Sequence, residues 1–170
     1  MTKTEEILRL EVAVLTEKIL HMEDQLNTYR YDALTGLKLR KDFNDRFNQY
    51  FNENAFYLTI VDINGLHNMN RDLGYLAGDD LIKRVSRYLI DKCEGCIFRI
   101  GGDEFAILSI HKPECDENND FVYNTVHNKD YKTTREMFTE CDKGLKPQKD
   151  AFYEITGLER RGDERRVKEC

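Results

Sequence analysis

The most informative part of the chain runs from 97 to 108: Ile97-Phe98-Arg99-Ile100-Gly101-Gly102-Asp103-Glu104-Phe105-Ala106-Ile107-Leu108. It predicts two short apolar strands joined by a turn at Gly101-Gly102, because tight hairpin turns need the positive φ angles that glycine adopts at little cost. Asp103 and Glu104 follow the turn directly. Turn backbone beside two carboxylates suits a metal-phosphate site, since hard cations prefer oxygen ligands. Taken alone, the stretch also fits a solvated hairpin tip.

A further carboxylate ends a second apolar run. Residues 55–63 read Ala-Phe-Tyr-Leu-Thr-Ile-Val-Asp-Ile, which is typical of a strand covered on both faces. Asp62 stands at the end of this run, where burying a carboxylate without a partner is costly. The sequence therefore predicts a partner or a metal ion at Asp62, and this second acid favours the metal-phosphate site.

Composition excludes several classes of protein. The chain has 170 residues, five cysteines and a net charge of −6. The length predicts one domain with an appendage, and the acidic balance argues against a nucleic-acid partner, which needs clustered Lys and Arg. No stretch resembles a signal peptide or reaches the length of a membrane span, so we expect a cytoplasmic protein with no membrane partner. Its cysteines are then expected to be thiols or metal ligands.

The appendage is residues 1–29, where apolar side chains recur at alternating spacings of four and three. The series is Leu8, Val12, Leu15, Ile19, Met22, Leu26 and Tyr29. Branched residues at the a positions with Leu at d favour a parallel two-stranded coiled coil. The alternative is a single amphipathic helix packed on its own domain, although such a helix normally carries a wider apolar stripe.

Periodicity predicts the remaining elements. Helices are expected at about 40–51, 66–70, 76–92 and 133–143, with a further strand at 121–126. Phe43, Phe47 and Phe51 are spaced for one helix face and are expected to pack in the core. From 157 to 170 the chain is a charged tail that we expect to be frayed.

Four motifs occur in a specific order. They are Asp32-x-Leu34-Thr35-Gly36-Leu37, Val61-Asp62-Ile63-Asn64, Gly78-Asp79 and Arg99-x-Gly101-Gly102-Asp103-Glu104-Phe105. Together they resemble the GGDEF domain of diguanylate cyclases, with a clear match from about residue 30 to 110 and an expected domain over residues 30–156. The resemblance implies an α+β fold, with a palm-like (ferredoxin/adenylyl cyclase-like) antiparallel sheet flanked by helices.

The resemblance also implies a reaction and residues to perform it. A homodimer, joined through the N-terminal coiled coil, would condense two GTP into cyclic di-GMP and release pyrophosphate with Mg²⁺ or Mn²⁺. By resemblance, the metal ligands are Asp62, Asp103 and the Ile63 carbonyl, and the catalytic acids are Asp62, Asp103 and Glu104. The substrate-binding residues would be Asn70 and Asp79 at guanine, Lys149 at the terminal phosphates, and His67, Arg99, Gly101 and Gly102.

The chain departs from the family pattern at several positions. Leu66-His67 replaces Phe-Lys, Tyr75 replaces His, Leu39 replaces Asn, and Lys92-Cys93-Glu94-Gly95 replaces the inhibitory Arg-x-x-Asp. The family helix after the hairpin is expected to be missing. Tyr153 stands where the family has Arg, four residues after Lys149, and Pro147 is expected to disturb any helix there. Two alternatives stay open: a minimal palm synthase with another product, and a degenerate nucleotide-binding module.

A separate set of residues is compatible with zinc. Cys93-x-x-Cys96 precedes the hairpin and His111-x-x-x-Cys115 follows it. A hairpin would bring both pairs to one end, and two Cys, a His and a third Cys are suitable zinc ligands. Coincidence is the alternative in a chain with five cysteines.

Overall fold

The structure is a computed structural model that describes residues 3–116 and 119–160. Its helices are α1 Lys3–Arg30, α2 Arg40–Glu53, α3 Leu66–Leu73, α4 Tyr75–Lys92, α5 Thr134–Lys143 and α6 Lys146–Thr156. Its strands are β1 Lys38–Leu39, β2 Tyr57–Ile63, β3 Cys96–Arg99, β4 Glu104–Ser109 and β5 Phe121–His127. The predicted helices and strands are thus found close to their expected bounds.

The strands form one sheet in the order β1-β3-β4-β2-β5. The strand β2 is central and pairs antiparallel with both β4 and β5, while β3 and β4 form the predicted hairpin. Among the strands of residues 3–116 and 119–160, only the two-residue edge strand β1 pairs in parallel, with β3. The expected antiparallel sheet flanked by helices is confirmed, with this one parallel pair added.

Helices cover both faces of the sheet. Because side chains alternate along a strand, Leu58 and Ile60 of β2 face α2 and α5, whereas Val61 and Ile63 face α4. On the first face the rings of Phe43 and Phe47 stack with centroids 5.2 Å apart. The helix-spaced phenylalanines of α2 therefore serve the core, as predicted.

The helix α1 does not bury its apolar seam. Leu8, Val12, Leu15, Ile19 and Met22 are 54% to 61% exposed. The side chains of Leu26 and Tyr29 lie outside the described part of the chain. A helix packed on its own domain would cover these side chains, so that alternative is wrong.

The sequence predicts a connection without a helix after β4 and a disturbed helix at Pro147, and only the first prediction is confirmed. In the described residues between β4 and β5, 110–116 and 119–120, there is no helix, which confirms the shortened connection. Pro147, by contrast, does not disturb a helix, because it lies in the first turn of α6. At that position the missing N–H would have no partner within the helix.

The zinc hypothesis is wrong for the proposed set. The sulfur atoms of Cys93 and Cys115 lie 3.6 Å apart beneath α4. Cys96 packs against the core on the opposite face of the sheet, and His111 is exposed. Cys96 therefore lies on the face of the sheet opposite to Cys93 and Cys115.

Within the described ranges, no helix combines the length and apolar character needed to cross a lipid bilayer.

Candidate active site

Three carboxylates meet where β2 and the hairpin end. Asp62 is paired in register with Glu104 across the β2–β4 ladder. The backbone N–H of Ile63 donates to the carbonyl oxygen of Asp103 at 2.8 Å, which fixes the turn beside the end of β2. The two acid-bearing stretches of the sequence are therefore brought together, as the metal-phosphate interpretation requires.

The turn differs from the predicted one. Gly101 and Gly102 do not adopt positive φ angles. Instead, the N–H groups of Ile100 and Gly101 both donate to the carbonyl of Glu104, at 2.9 and 3.2 Å. A Cβ at position 101 would lie 2.5 Å from Glu104 Oε2. A side chain at position 101 would therefore displace the Glu104 carboxylate from the position it has here.

Asp62 is a buried carboxylate whose pKa is raised by its surroundings. It is only 6% exposed, and burial raises its pKa to about 6 despite the ion pair with Lys149, with Asp103 and Glu104 adding to the rise. Its Oδ1 atom is buried without a hydrogen-bond partner in the described residues. A buried carboxylate oxygen with an unused lone pair fits a divalent cation.

A cleft of about 880 Å³ opens from these acids. Of the predicted site residues, those in its wall are Asp62, Ile63, His67, Asn70, Gly102, Asp103, Glu104 and Lys149. No three His, Cys, Asp or Glu side chains in the described ranges form a ready cation cage. A cation here would therefore need main-chain and substrate oxygens as well, which is usual for Mg²⁺.

Three predicted site residues lie outside the cleft wall: Arg99, Gly101 and Asp79. Arg99 braces the turn from behind, since its guanidinium donates to the carbonyl of Gly102 at 2.7 Å and pairs with Asp32 at 2.8 Å. Burial tends to raise the pKa of Asp32, but hydrogen bonds from Thr35 and Arg99 outweigh it and lower that pKa. The first and last motifs of the sequence are thus joined by an ion pair.

Close packing explains the glycine before Asp79. A Cβ at Gly78 would lie 1.8 Å from the side-chain oxygen of Asn70. The absence of a side chain at Gly78 leaves the space that the Asn70 amide occupies between α3 and α4. The side chain of Asp79 begins one residue further along α4, beyond this contact.

Sequence reasoning missed several residues of the site. Arg40 donates from Nε to the Ile100 carbonyl at 2.5 Å and approaches Glu104 Oε2 with Nη2 at 3.3 Å. In the cleft wall, the missed polar residues are Arg71, Asp142, Lys146, Asp150 and Arg160. Lys146, Lys149, Asp150 and Tyr153 have the i, i+3, i+4, i+7 spacing of one helix face. That spacing could have revealed the wall, had Pro147 been interpreted as the start of a helix.

The chain after α6 folds back onto α3. Gly157 adopts φ 67° and ends the helix. Leu158 then packs over Gly65, the Asn68 side chain donates to the Glu159 carbonyl at 2.9 Å, and Arg71 pairs with the Glu159 carboxylate at 3.1 Å. The expectation of a frayed tail is therefore wrong for residues 158–160; residues 161–170 lie outside the described part.

A known protein family has a model that matches this chain. The family model described as "Diguanylate cyclase, GGDEF domain" matches residues 29–146, more than half of the chain. The chain belongs to the GGDEF family. The resemblance inferred from the four motifs is thereby confirmed.

Curated relatives of this GGDEF chain include two named cyclases. Diguanylate cyclase VdcA of Vibrio cholerae is 31% identical over 107 residues, covering 61% of this chain and 30% of the relative. Diguanylate cyclase DgcP of Pseudomonas aeruginosa is 33% identical over 95 residues, covering 52% of this chain and 14% of the relative. The chain thus spans less than a third of the length of either.

A solved structure with the same fold contains a coiled coil and a GGDEF domain. It is that of DgcB from Caulobacter crescentus in complex with c-di-GMP, with a TM-score of 0.77 and 17% identity, covering 88% of this chain and 96% of that one. The likeness confirms the palm-like fold predicted for this GGDEF chain.

Proposed function

We propose that this GGDEF domain is a nucleotidyl cyclase that condenses two GTP into cyclic di-GMP and releases pyrophosphate. The observation that carries the proposal is the buried Asp62, whose Oδ1 has no partner among the described residues and which lies beside Asp103 and Glu104. These acids open onto a cleft with Lys146 and Lys149 in its wall. The named cyclases among its relatives support the same reaction.

The donor set fits two Mg²⁺ or Mn²⁺ ions held by Asp62, Asp103 and the Ile63 carbonyl. Bound there, such ions would supply Lewis-acid stabilisation of phosphoryl charge and would make the attacking hydroxyl more acidic. The protein's contribution is a fixed arrangement of oxygens: β2 holds Asp62, and the Ile63–Asp103 hydrogen bond holds the turn against it.

The remaining residues bind and orient the nucleotide. Glu104 would lie near the attacking 3′-hydroxyl, with Arg40 restraining its carboxylate. Asn70, in the cleft wall beside Gly78, would contact the guanine edge; Asp79, which the resemblance pairs with it, lies outside the cleft wall. His67 and the turn glycines would border the phosphates, where Lys149 provides positive charge, while Arg99 supports the turn from behind. Holding the reacting atoms in line provides most of the catalysis in phosphoryl transfer.

We further propose that the enzyme acts as a homodimer. A symmetric product needs two half-sites that face each other, each with one GTP, and a parallel coiled coil would bring them together. The exposed seam of α1 supports this assembly, because five of its apolar side chains are left uncovered by the described part of the chain.

Product analysis tests the proposal. Purified protein is incubated with each labelled nucleoside triphosphate and Mg²⁺ or Mn²⁺, and the products are separated. We expect cyclic di-GMP from GTP alone and none from Asp103→Asn. A cyclic product containing another base would favour the palm synthase with different specificity, in which Leu66 and Tyr75 in the cleft wall alter the base pocket. GTP binding without any product in either metal would favour the degenerate module.

A further inference from the structure

We propose that Arg160, outside the family motifs, binds the polyphosphate of the nucleotide in this cleft. The inference rests on the proposed function only for the kind of ligand, a nucleoside triphosphate. Arg160 lines the cleft although it is the fourth residue after α6. Its guanidinium carbon lies 5.1 Å from the centre of the Tyr153 ring, and its Nη2 pairs with the carboxylate of Asp150.

The fold gives Arg160 a defined position. Leu158 is packed against Gly65, and both the backbone and the carboxylate of Glu159 are bound by α3. With its two preceding residues anchored, the Arg160 backbone cannot move away freely from the cleft. The Tyr153 ring lies next to the guanidinium, and a guanidinium held at an aromatic ring loses less freedom when it binds an anion.

The charges in the cleft indicate why this cation matters. Lys149 shares its charge with Asp62, Arg71 pairs with Asp72 and Glu159, and Lys146 is a further cation in the same wall. The ion pair of Arg160 with Asp150 is exposed on both sides, 41% and 49%, and exposed ion pairs contribute little. Exchanging Asp150 for a phosphate oxygen would therefore cost little, and a guanidinium can bind two phosphate oxygens at once.

Tyr153 makes the assignment specific to this chain. It follows Lys149 by four residues on the cleft face of α6, and its phenol bears no positive charge to offer a phosphate. Arg160 places a guanidinium over the ring of that same residue. The positive charge at this part of the wall thus comes from the segment after the helix.

Binding measurements on the full chain test the inference. The probes are non-hydrolysable analogues of the four common triphosphates, with the matching monophosphates, measured with Mg²⁺ by calorimetry. Arg160→Ala should weaken binding of the preferred triphosphate by about tenfold, as for loss of one charge-assisted contact, and leave the monophosphate unchanged. Asp150→Asn should tighten triphosphate binding, and this gain should shrink when Arg160 is also alanine.

Arg46→Ala is the matched control, because Arg46 lies over the ring of Tyr50 at 5.0 Å but borders a different cleft. It should leave both affinities unchanged. Equal losses for triphosphate and monophosphate in Arg160→Ala would make the residue structural and overturn the inference, as would no loss at all. A wild-type protein that binds no triphosphate more tightly than its monophosphate also overturns it. Selective triphosphate loss in a protein that makes no cyclic product would uphold the inference while the proposed function fails.

Discussion

The ammonium group of Lys149 on α6 forms an ion pair with the buried carboxylate of Asp62 on β2. This contact joins the last helix described to the central strand, at the position where a divalent cation is proposed to bind. Lys149 thereby compensates part of the cost of burying Asp62 in the absence of a metal ion. Lys149 pairs with Oδ2, whereas the oxygen without a partner is Oδ1, so a cation bound at Oδ1 would compete with Lys149 for the charge of one carboxylate.

Replacing Lys149 by Met should therefore have opposite effects with and without metal. Without metal, the free energy of unfolding should fall by about 2 kcal/mol, because the buried carboxylate loses its partner. The rise in melting temperature on adding Mn²⁺ should be larger than in the wild type, since the competing cation is gone. Lys146→Met, in the same cleft wall, is the control and should change neither quantity much. An unchanged Mn²⁺ response in Lys149→Met would contradict the competition.

Asp62→Asn should stabilise the metal-free protein at neutral pH. The folded-state pKa of Asp62 is raised from 3.8 to about 6, so the folded state binds this proton more tightly than the unfolded state. Its contribution to stability is complete below pH 4 and is lost as the pH rises through 6. The variant cannot titrate there, and its advantage over the wild type should grow across this window, to at most about 3 kcal/mol.

Denaturant unfolding of both proteins from pH 4 to 7.5, with a chelator present, measures this difference. A difference that is constant across the whole range would show that Asp62 does not titrate in it. Cyclic di-GMP formation should be lost in the variant, because the proposed site loses a negative ligand.

The ion pair between Arg99 and Asp32 should contribute to the free energy of unfolding, although Arg99 lies outside the cleft wall. The side chains are only 12% and 17% exposed. Arg99→Ala leaves Asp32 half-buried and also releases the carbonyl of Gly102, so we expect a loss of about 3 kcal/mol in the free energy of unfolding. Arg30→Ala breaks a pair of similar length with Asp42, but Arg30 is 55% exposed, and the loss should stay below about 1 kcal/mol. Equal losses in the two variants would refute the bracing role.

Acidic substitutions in the apolar seam of α1 should abolish dimerisation without unfolding the domain. Leu15→Glu with Ile19→Glu puts carboxylates at adjacent d and a positions, which a coiled coil cannot bury cheaply. The variant should keep its melting temperature at low concentration and become monomeric in analytical ultracentrifugation, with most of its activity lost. Val14→Glu with Leu20→Glu adds the same charge off the seam, on side chains that are also exposed, and should stay dimeric. A seam variant that is monomeric and fully active would refute the two-half-sites mechanism.

Much of the fold could be predicted because its signals are local. The apolar run of β2, the paired strands around the glycines and the four-spaced phenylalanines of α2 each depend on a few neighbouring residues. The meeting of Asp62 with Asp103 and Glu104 followed from the family motifs. The shortened connection after β4 was likewise visible as a polar stretch too short for a helix.

The errors arose where a distant contact decides the local structure. Gly101 does not adopt a positive φ angle, and the space beside its Cα is occupied by the Glu104 carboxylate. Pro147 predicts a disturbed helix only when it falls inside one, and its cost depends on where the helix starts. The docking of residues 158–160 depends on Gly65 and Asn68, about ninety positions earlier, and composition alone cannot indicate such a partner.

The strand order has a consequence for how the chain is made. β2 emerges from the ribosome long before either of its neighbours, because it pairs with residues 104–109 and 121–127. Until β5 has been synthesised, the most apolar strand keeps an unpaired edge, and unpaired apolar edges invite pairing with other chains. The contacts of β2 join residues that are far apart in sequence, and closing such long loops is slow. We therefore expect the pairing of β5 with β2, and not helix formation, to limit the rate of folding. Nascent chains arrested before residue 121 should therefore aggregate or recruit chaperones, whereas those arrested after α5 should already resist proteolysis.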